Sequence, residues 1–254
     1  MTRVRNRLSD NFIGAYLQGS FAVGDFDTYS DVDFLIVVEE DVTDDRLLDL
    51  QAVHSEIYDL PSIWARRLEG SYVPKAALRP HPPPHRRFLY LDHGSRELVR
   101  SDHDDSLVVY WVLREEGVTL IGPDPRSLVS PVSAHALRRE ISSTMRDWRQ
   151  ELLAHPDKLN NRFYQPFAVL SYCRMLHTLQ TGKVESKRAG AVWGQNALDR
   201  RWHRLIRRAW HERGAPSSTT RQPADSKDLE ATWTFMEHAV ALGQQWNDSN
   251  SWND

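Results

Sequence analysis

The chain has 254 residues, 40% of them hydrophobic and 26% charged, with a formal net charge of −3. That length allows one large domain or two small ones, and so small a net charge argues against a surface built as a whole to bind a polyanion, so any phosphate contacts must come from local clusters of Arg or Lys. A single cysteine, Cys173, excludes an internal disulfide and a Cys-rich zinc site and favours a reducing compartment.

The N-terminal MTRVRNRLSDNF has basic residues but no apolar h-region behind them, so it does not read as a signal peptide. No apolar run approaches the roughly 18 residues of a membrane span, and the expected location is cytoplasmic. Residues 13–18 (IGAYLQ) are short and apolar and run straight into Gly19-Ser20. Residues 32–38 (VDFLIVV) are rich in β-branched and aromatic side chains and read as a buried strand. Over 43–60, Leu47, Leu50, Val53, Ile57 and Leu60 recur at helical spacing, with Thr43 as the N-cap. RLEGSYV at 67–73 reads as another strand, and the prolines between Pro74 and Pro84 demand a loop. HPPPHRR at 81–87 is read as a flexible basic loop rather than a metal site. SLVVYWVLREE at 106–116 predicts a helix ended by Gly117, and VTLIGPDP closes the first half.

After SPVS at 130–133 the pattern turns all-helical, with stretches at about 134–153, 163–181, 187–213 and 226–246. Trp148, Phe167, Leu170, Leu176, Trp202, Leu205, Ile206 and Trp210 suit the interior of a bundle. APSSTTRQPADS at 215–226 reads as a polar loop, and the tail NDSNSWND is expected to be disordered. The change of pattern places a domain boundary near 130, giving domains over 1–130 and 131–254.

The chemistry concentrates where Gly19-Ser20 is followed by Ser30-Asp31-Val32-Asp33 and the apolar strand. Residues two apart on a strand point the same way, so Asp31 and Asp33 project from one face, and two ionised carboxylates that close repel unless a cation lies between them. Oxygen ligands of this kind suit Mg²⁺, which takes one or two carboxylates together with substrate phosphates. Gly19 permits close backbone approach to a phosphate, and backbone N–H groups with the Ser20 hydroxyl can bond its oxygens. A strand that served only structure would gain nothing from that pair of charges.

The pattern GSxxxGxxxxxSDVD, here Gly19-Ser20, Gly24 and Ser30-Asp31-Val32-Asp33, resembles the signature of the DNA polymerase β-like nucleotidyltransferase superfamily. LSYCRMLHTLQTGKVESK at 170–187 and GPDPRSLVSPVS at 122–133 resemble the aminoglycoside 3″-adenylyltransferases, the streptomycin/spectinomycin adenylyltransferases. The resemblance covers roughly residues 13–213. It implies an α+β fold: an N-terminal nucleotidyltransferase domain with a mixed sheet flanked by helices, then an all-α helical domain. It also implies ATP as co-substrate, Mg²⁺ held by Asp31 and Asp33, nucleotide contacts from Gly19, Ser20 and Ser30, Glu69 as catalytic base, and Arg174 and Lys187 contacting the nucleotide phosphates. The implied partners are ATP and a small aminoglycoside-like acceptor, with no membrane, no obligatory nucleic acid and a monomeric chain.

The sequence departs from the streptomycin-modifying pattern around the acceptor. LYLDHGSRELVRS has no tryptophan where those enzymes carry one after an FGEW segment. HPDKLNNRFYQP puts Asn160 and Tyr164 near expected acidic positions, with Asp157 close by, and Arg188 follows Lys187 where an acid is expected. A polycationic ligand needs negative charge around it. LDHGSRELVRSDHDD, with His93 and His103, is read by default as solvated surface. Two alternatives stay open at this point: transfer of a nucleotide to a protein or RNA, and a catalytically silent nucleotide-binding module.

Overall fold

The structure, a computed structural model, describes residues 1–79, 86–214 and 219–249. The end of the proline-rich loop (80–84), most of the basic HPPPHRR segment, part of the 215–226 loop and the last five residues lie outside them. The chain divides into two compact units, Met1–Val132 and Ser133–Asp254.

The first unit carries a six-stranded mixed sheet. Its strands are β1 (Phe12–Leu17), β2 (Val32–Val38), β3 (Leu68–Pro74), β4 (Phe88–Leu91), β5 (Leu98–Ser101) and β6 (Val118–Ile121), in the order β5-β4-β3-β2-β1-β6. Only β2 and β3 run parallel; the other neighbours are antiparallel. The helices here are α1 (Thr2–Leu8), α2 (Gly19–Ala22), α3 (Asp44–Tyr58), α4 (Leu107–Glu115) and α5 (Pro125–Leu128).

The continuous apolar run of β2 follows from its central place, because both of its faces are covered. Phe34, Ile36 and Val38 pack with Val4 and Leu8 of α1 and Leu50 and Val53 of α3. Leu35 and Val37 face the other way, onto Tyr110 and Leu113 of α4. Each such fully buried side chain contributes roughly 1.5–3 kcal/mol. The parallel β2–β3 pair needs a crossover, and α3 supplies it. Thr43 is the N-cap residue of α3, as its sequence predicts, but Leu60 falls beyond the helix and is exposed. Helix α4 begins at Ser106, whose hydroxyl accepts from the Val109 N–H.

Two strands stand where none was predicted, the second within the stretch read by default as surface. FLYL and LVRS form the β4–β5 hairpin, with Leu89 opposite Arg100 and Leu91 opposite Leu98. All four residues of β4 are buried. The short runs carry too few residues for alternation to stand out. A second unforeseen element is α1, whose Val4 and Leu8 are buried.

The second unit is helical: α6 (Ala134–Ala154), α7 (Tyr164–Thr181), α8 (Lys187–Ala197), α9 (His203–Glu212) and α10 (Ser226–Ser249). The single stretch expected over 187–213 is broken. Leu198 is extended, and Asp199 caps a following 3₁₀ turn by accepting from the Arg201 N–H at 2.8 Å. Helix α10 also runs past residue 246, and Asn247 in the tail expected to be disordered donates to the Ser142 hydroxyl on α6. Leu170, Leu176, Trp202, Leu205 and Ile206 are buried, whereas Trp148, Phe167 and Trp210 are half-buried. Trp148 stacks on Tyr172 with ring centroids 5.4 Å apart.

Candidate active site

The site lies at one end of the sheet. The parallel pair brings the N-terminal ends of β2 and β3 together, with Asp33 beside Glu69 in register. The antiparallel neighbours end there too: Leu17 of β1 pairs with Phe34 before the chain enters Gly19, and Leu91 of β4 pairs with Gly70 before the chain turns at Asp92. Strand periodicity therefore puts Asp33 and Glu69 on the sheet face that carries Leu35 and Ser71.

Gly19 has φ 58°, and a Cβ there would sit 2.0 Å from Asp33 Oδ2. The glycine thus supplies both a left-handed backbone and room for the Asp33 carboxylate. Ser20 follows in α2, partly exposed. The Ser30 hydroxyl is engaged locally, accepting from the Asp27 N–H at 2.9 Å, so it fixes the turn that leads into Asp31.

Asp31, Glu69 and His93 each offer one ligand atom, and the three atoms lie within 4.8 Å of one another. His93 Nδ1 is 2.7 Å from Asp31 Oδ1. The two atoms meet as an ion pair whose angles are not those of a hydrogen bond, and neither has another hydrogen-bond partner. Tyr90, on β4, donates to Glu69 Oε1 at 2.7 Å and to Asp92 Oδ1 at 3.2 Å. His103 Nε2 lies 3.3 Å from Glu69 Oε1, and its ring stacks on Tyr90.

Burial pushes the Glu69 carboxyl above the usual carboxylate range; the Tyr90 hydrogen bond and His103 oppose this, while the charges of Asp31 and Asp104 add to it. Asp104 is 4% exposed, and burial raises its carboxyl likewise. Contact with Asp31 raises His93, against the effect of its own burial. Tyr90, His93, His103 and Asp104 are the residues that sequence reasoning did not assign. The available signal was a hairpin reading of FLYL and LVRS around Gly94, which would have carried both histidines to strand ends.

Arg174 and Lys187 belong to the second unit. Arg174 is half-buried on α7 where α8 crosses it: a Cβ on Gly190 would lie 2.8 Å from Arg174 Cα. Lys187 is the first residue of α8, beneath the Ser186 cap, and its Nζ stands 4.7 Å from the centroid of the Phe167 ring.

An acidic pair leading into the central strand of a mixed sheet, a glycine loop against one carboxylate and a third carboxylate in register define a nucleotidyltransferase. The family models agree: residues 1–76 match the nucleotidyltransferase domain, and residues 127–239 match the aminoglycoside adenylyltransferase C-terminal domain. The two matched stretches together make the chain similar to the aminoglycoside adenylyltransferases among nucleotidyltransferases.

A spectinomycin 9-adenylyltransferase from Staphylococcus aureus is 27% identical over 202 residues, covering 75% of this chain and 73% of the relative. One from Campylobacter jejuni is 23% identical, covering 92% of this chain and 86% of its own length. An aminoglycoside (3'') (9) adenylyltransferase from Klebsiella pneumoniae is 23% identical, covering 80% and 78%. Among solved structures, the spectinomycin adenyltransferase AAD(9) from Enterococcus faecialis with ATP and spectinomycin has the same fold, with a TM-score of 0.71 at 18% identity over 94% of this chain and 96% of that one.

Proposed function

We propose that this adenylyltransferase transfers AMP from ATP to a hydroxyl of an aminoglycoside-type antibiotic of the spectinomycin and streptomycin class, releasing pyrophosphate. The observation that carries the reading is the meeting of Asp31, Asp33 and Glu69 at one end of the sheet, with Gly19 against Asp33. The activities for which the relatives are named support the acceptor class.

In this reading the acceptor oxygen bonds to the α-phosphorus of ATP as the bond to the pyrophosphate oxygen breaks, and Glu69 takes the hydroxyl proton. Its raised carboxyl suits a base, and the Tyr90 hydroxyl aims it. The Gly19-Ser20 backbone receives the phosphates. Lys187 heads α8, where the helix N-terminus itself favours an anion, and Arg174 carries the permanent charge that suits a phosphate contact. The all-oxygen donors of Asp31 and Asp33 fit Mg²⁺, and the unbonded Oδ1 of Asp31 is where such an ion would find a ligand. When bound, Mg²⁺ would offset the charge that develops on the phosphate oxygens. We take the chain to act as a cytoplasmic monomer without nucleic acid; among the described residues, no helix is long and apolar enough to cross a membrane.

The test is ATP-dependent pyrophosphate release screened against spectinomycin, streptomycin, other aminoglycosides, tRNA and protein. Release with the antibiotics alone is expected. Transfer of label only to tRNA or to protein would overturn the acceptor.

A further inference from the structure

His93 sits at a position built with care. The turn Asp92–Ser95 closes through the Ser95 N–H to the Asp92 carbonyl at 3.0 Å, and Gly94 takes φ 70° inside it. The Asp92 carboxylate accepts from the His93 N–H at 2.9 Å and from the same Tyr90 hydroxyl that bonds Glu69. The imidazole is thereby tied to the strand that carries Glu69 and aimed at Asp31. The two facing atoms, His93 Nδ1 and Asp31 Oδ1, are withdrawn from solvent and lack a properly directed hydrogen bond, a state that costs free energy in a folded chain. The side chains as a whole remain 24% and 30% exposed, which leaves an ion a way in.

We infer that His93 joins Asp31, beside the base Glu69, in a mixed imidazole–carboxylate cation site that prefers a first-row transition-metal ion to Mg²⁺. The inference rests on the metal role proposed for Asp31. An ion about 2.0–2.2 Å from both donors needs the 2.7 Å between His93 Nδ1 and Asp31 Oδ1 to open only slightly, to roughly 3 Å. Mg²⁺ favours oxygen donors, whereas imidazole nitrogen binds the transition ions better. The nitrogen therefore biases the site by its chemistry, without altering the carboxylates.

The test uses metal-free protein titrated with Mn²⁺, with free Mn²⁺ read by electron paramagnetic resonance and Mg²⁺ affinity obtained by competition. The bound ion should show ¹⁴N electron spin-echo modulation from a coordinated imidazole. His93→Asn, which keeps a polar group toward Asp31, should abolish that modulation and weaken Mn²⁺ about tenfold, while changing Mg²⁺ by less than about threefold. His93→Gln gives a second side chain should the first variant fold poorly. Absence of ¹⁴N modulation in the unaltered protein, or equal weakening of both ions by either variant, would overturn the inference and leave His93 as a group that only positions Asp31. Asp31→Asn is the separate control: if it binds Mn²⁺ undiminished, the metal role of Asp31 itself fails, whatever His93 does.

Discussion

Burial lifts the Glu69 carboxyl above its ordinary range, while the Tyr90 hydroxyl pulls it back. A base must be ionised to work, so turnover is lost as pH falls through this raised value. Removing the Tyr90 donor by Tyr90→Phe should move the acidic limb of the pH–rate profile to higher pH; an unmoved limb would detach Glu69 from the chemistry. Glu69→Gln should lower pyrophosphate release by about 10²–10⁴-fold and spare ATP binding measured by calorimetry. Asp31→Asn or Asp33→Asn should abolish release without unfolding the chain. Gly19→Ala should do nearly the same, because its Cβ would occupy the place of the Asp33 carboxylate on a backbone with φ 58°. A Gly19→Ala variant at full activity would show that Asp33 need not lie where it does.

His54 tests burial away from the site. It is 4% exposed, its Nε2 lies 2.7 Å from the Tyr72 hydroxyl, and burial lowers its pKa from 6.5 to about 4. The folded state therefore holds fewer protons on this group than the unfolded chain does. Stability falls as pH drops from the unfolded value toward the folded one, by roughly 3 kcal/mol across that window, and levels off below it. His54→Leu should flatten this part of the denaturant-derived stability–pH curve; an unchanged slope would reject the assignment.

Elements succeed or fail by their length and by their neighbours. Helices α4 and α6 are legible because a cap and an apolar period agree: Ser106 and Ser133 each accept from an N–H three residues on. The β4–β5 hairpin is not legible, since two four-residue runs hold too little periodicity, and what makes them strands is pairing with β3. The same holds for the break between α8 and α9. The helical period continues through it in the sequence, but the Asp199 cap and the burial of Trp202 turn the chain. Where α7 and α8 cross, Gly190 allows one backbone to approach the other at Arg174. Gly190→Ala, despite its better helix propensity, should cost about 1–3 kcal/mol through overpacking, read as a lower thermal midpoint. An unchanged midpoint would mean the helices part without penalty.

For the whole molecule, the chain divides into two compact units, and the carboxylates of the proposed site stand at the edge of the first rather than within its apolar clusters. Removing divalent ions with a chelator should therefore stop pyrophosphate release while leaving the far-ultraviolet circular dichroism intact, and added Mg²⁺ or Mn²⁺ should restore it; loss of secondary structure on chelation would place the ion in the folding core instead. The sequence alone determined the α+β-then-α plan and the Gly19-Ser20 and Asp31/Asp33 motif, because each is local: a hydrophobic period, a cap, a spacing of two on a strand. It also carried Glu69, through resemblance to a family. Only the tertiary structure decided that Tyr90, His93, His103 and Asp104 surround those carboxylates. They lie 21 or more residues further along the chain than Glu69, and no period links them to it. They arrive there because β4 pairs with β3, and strand pairing is a contact between distant segments that no single stretch of sequence contains.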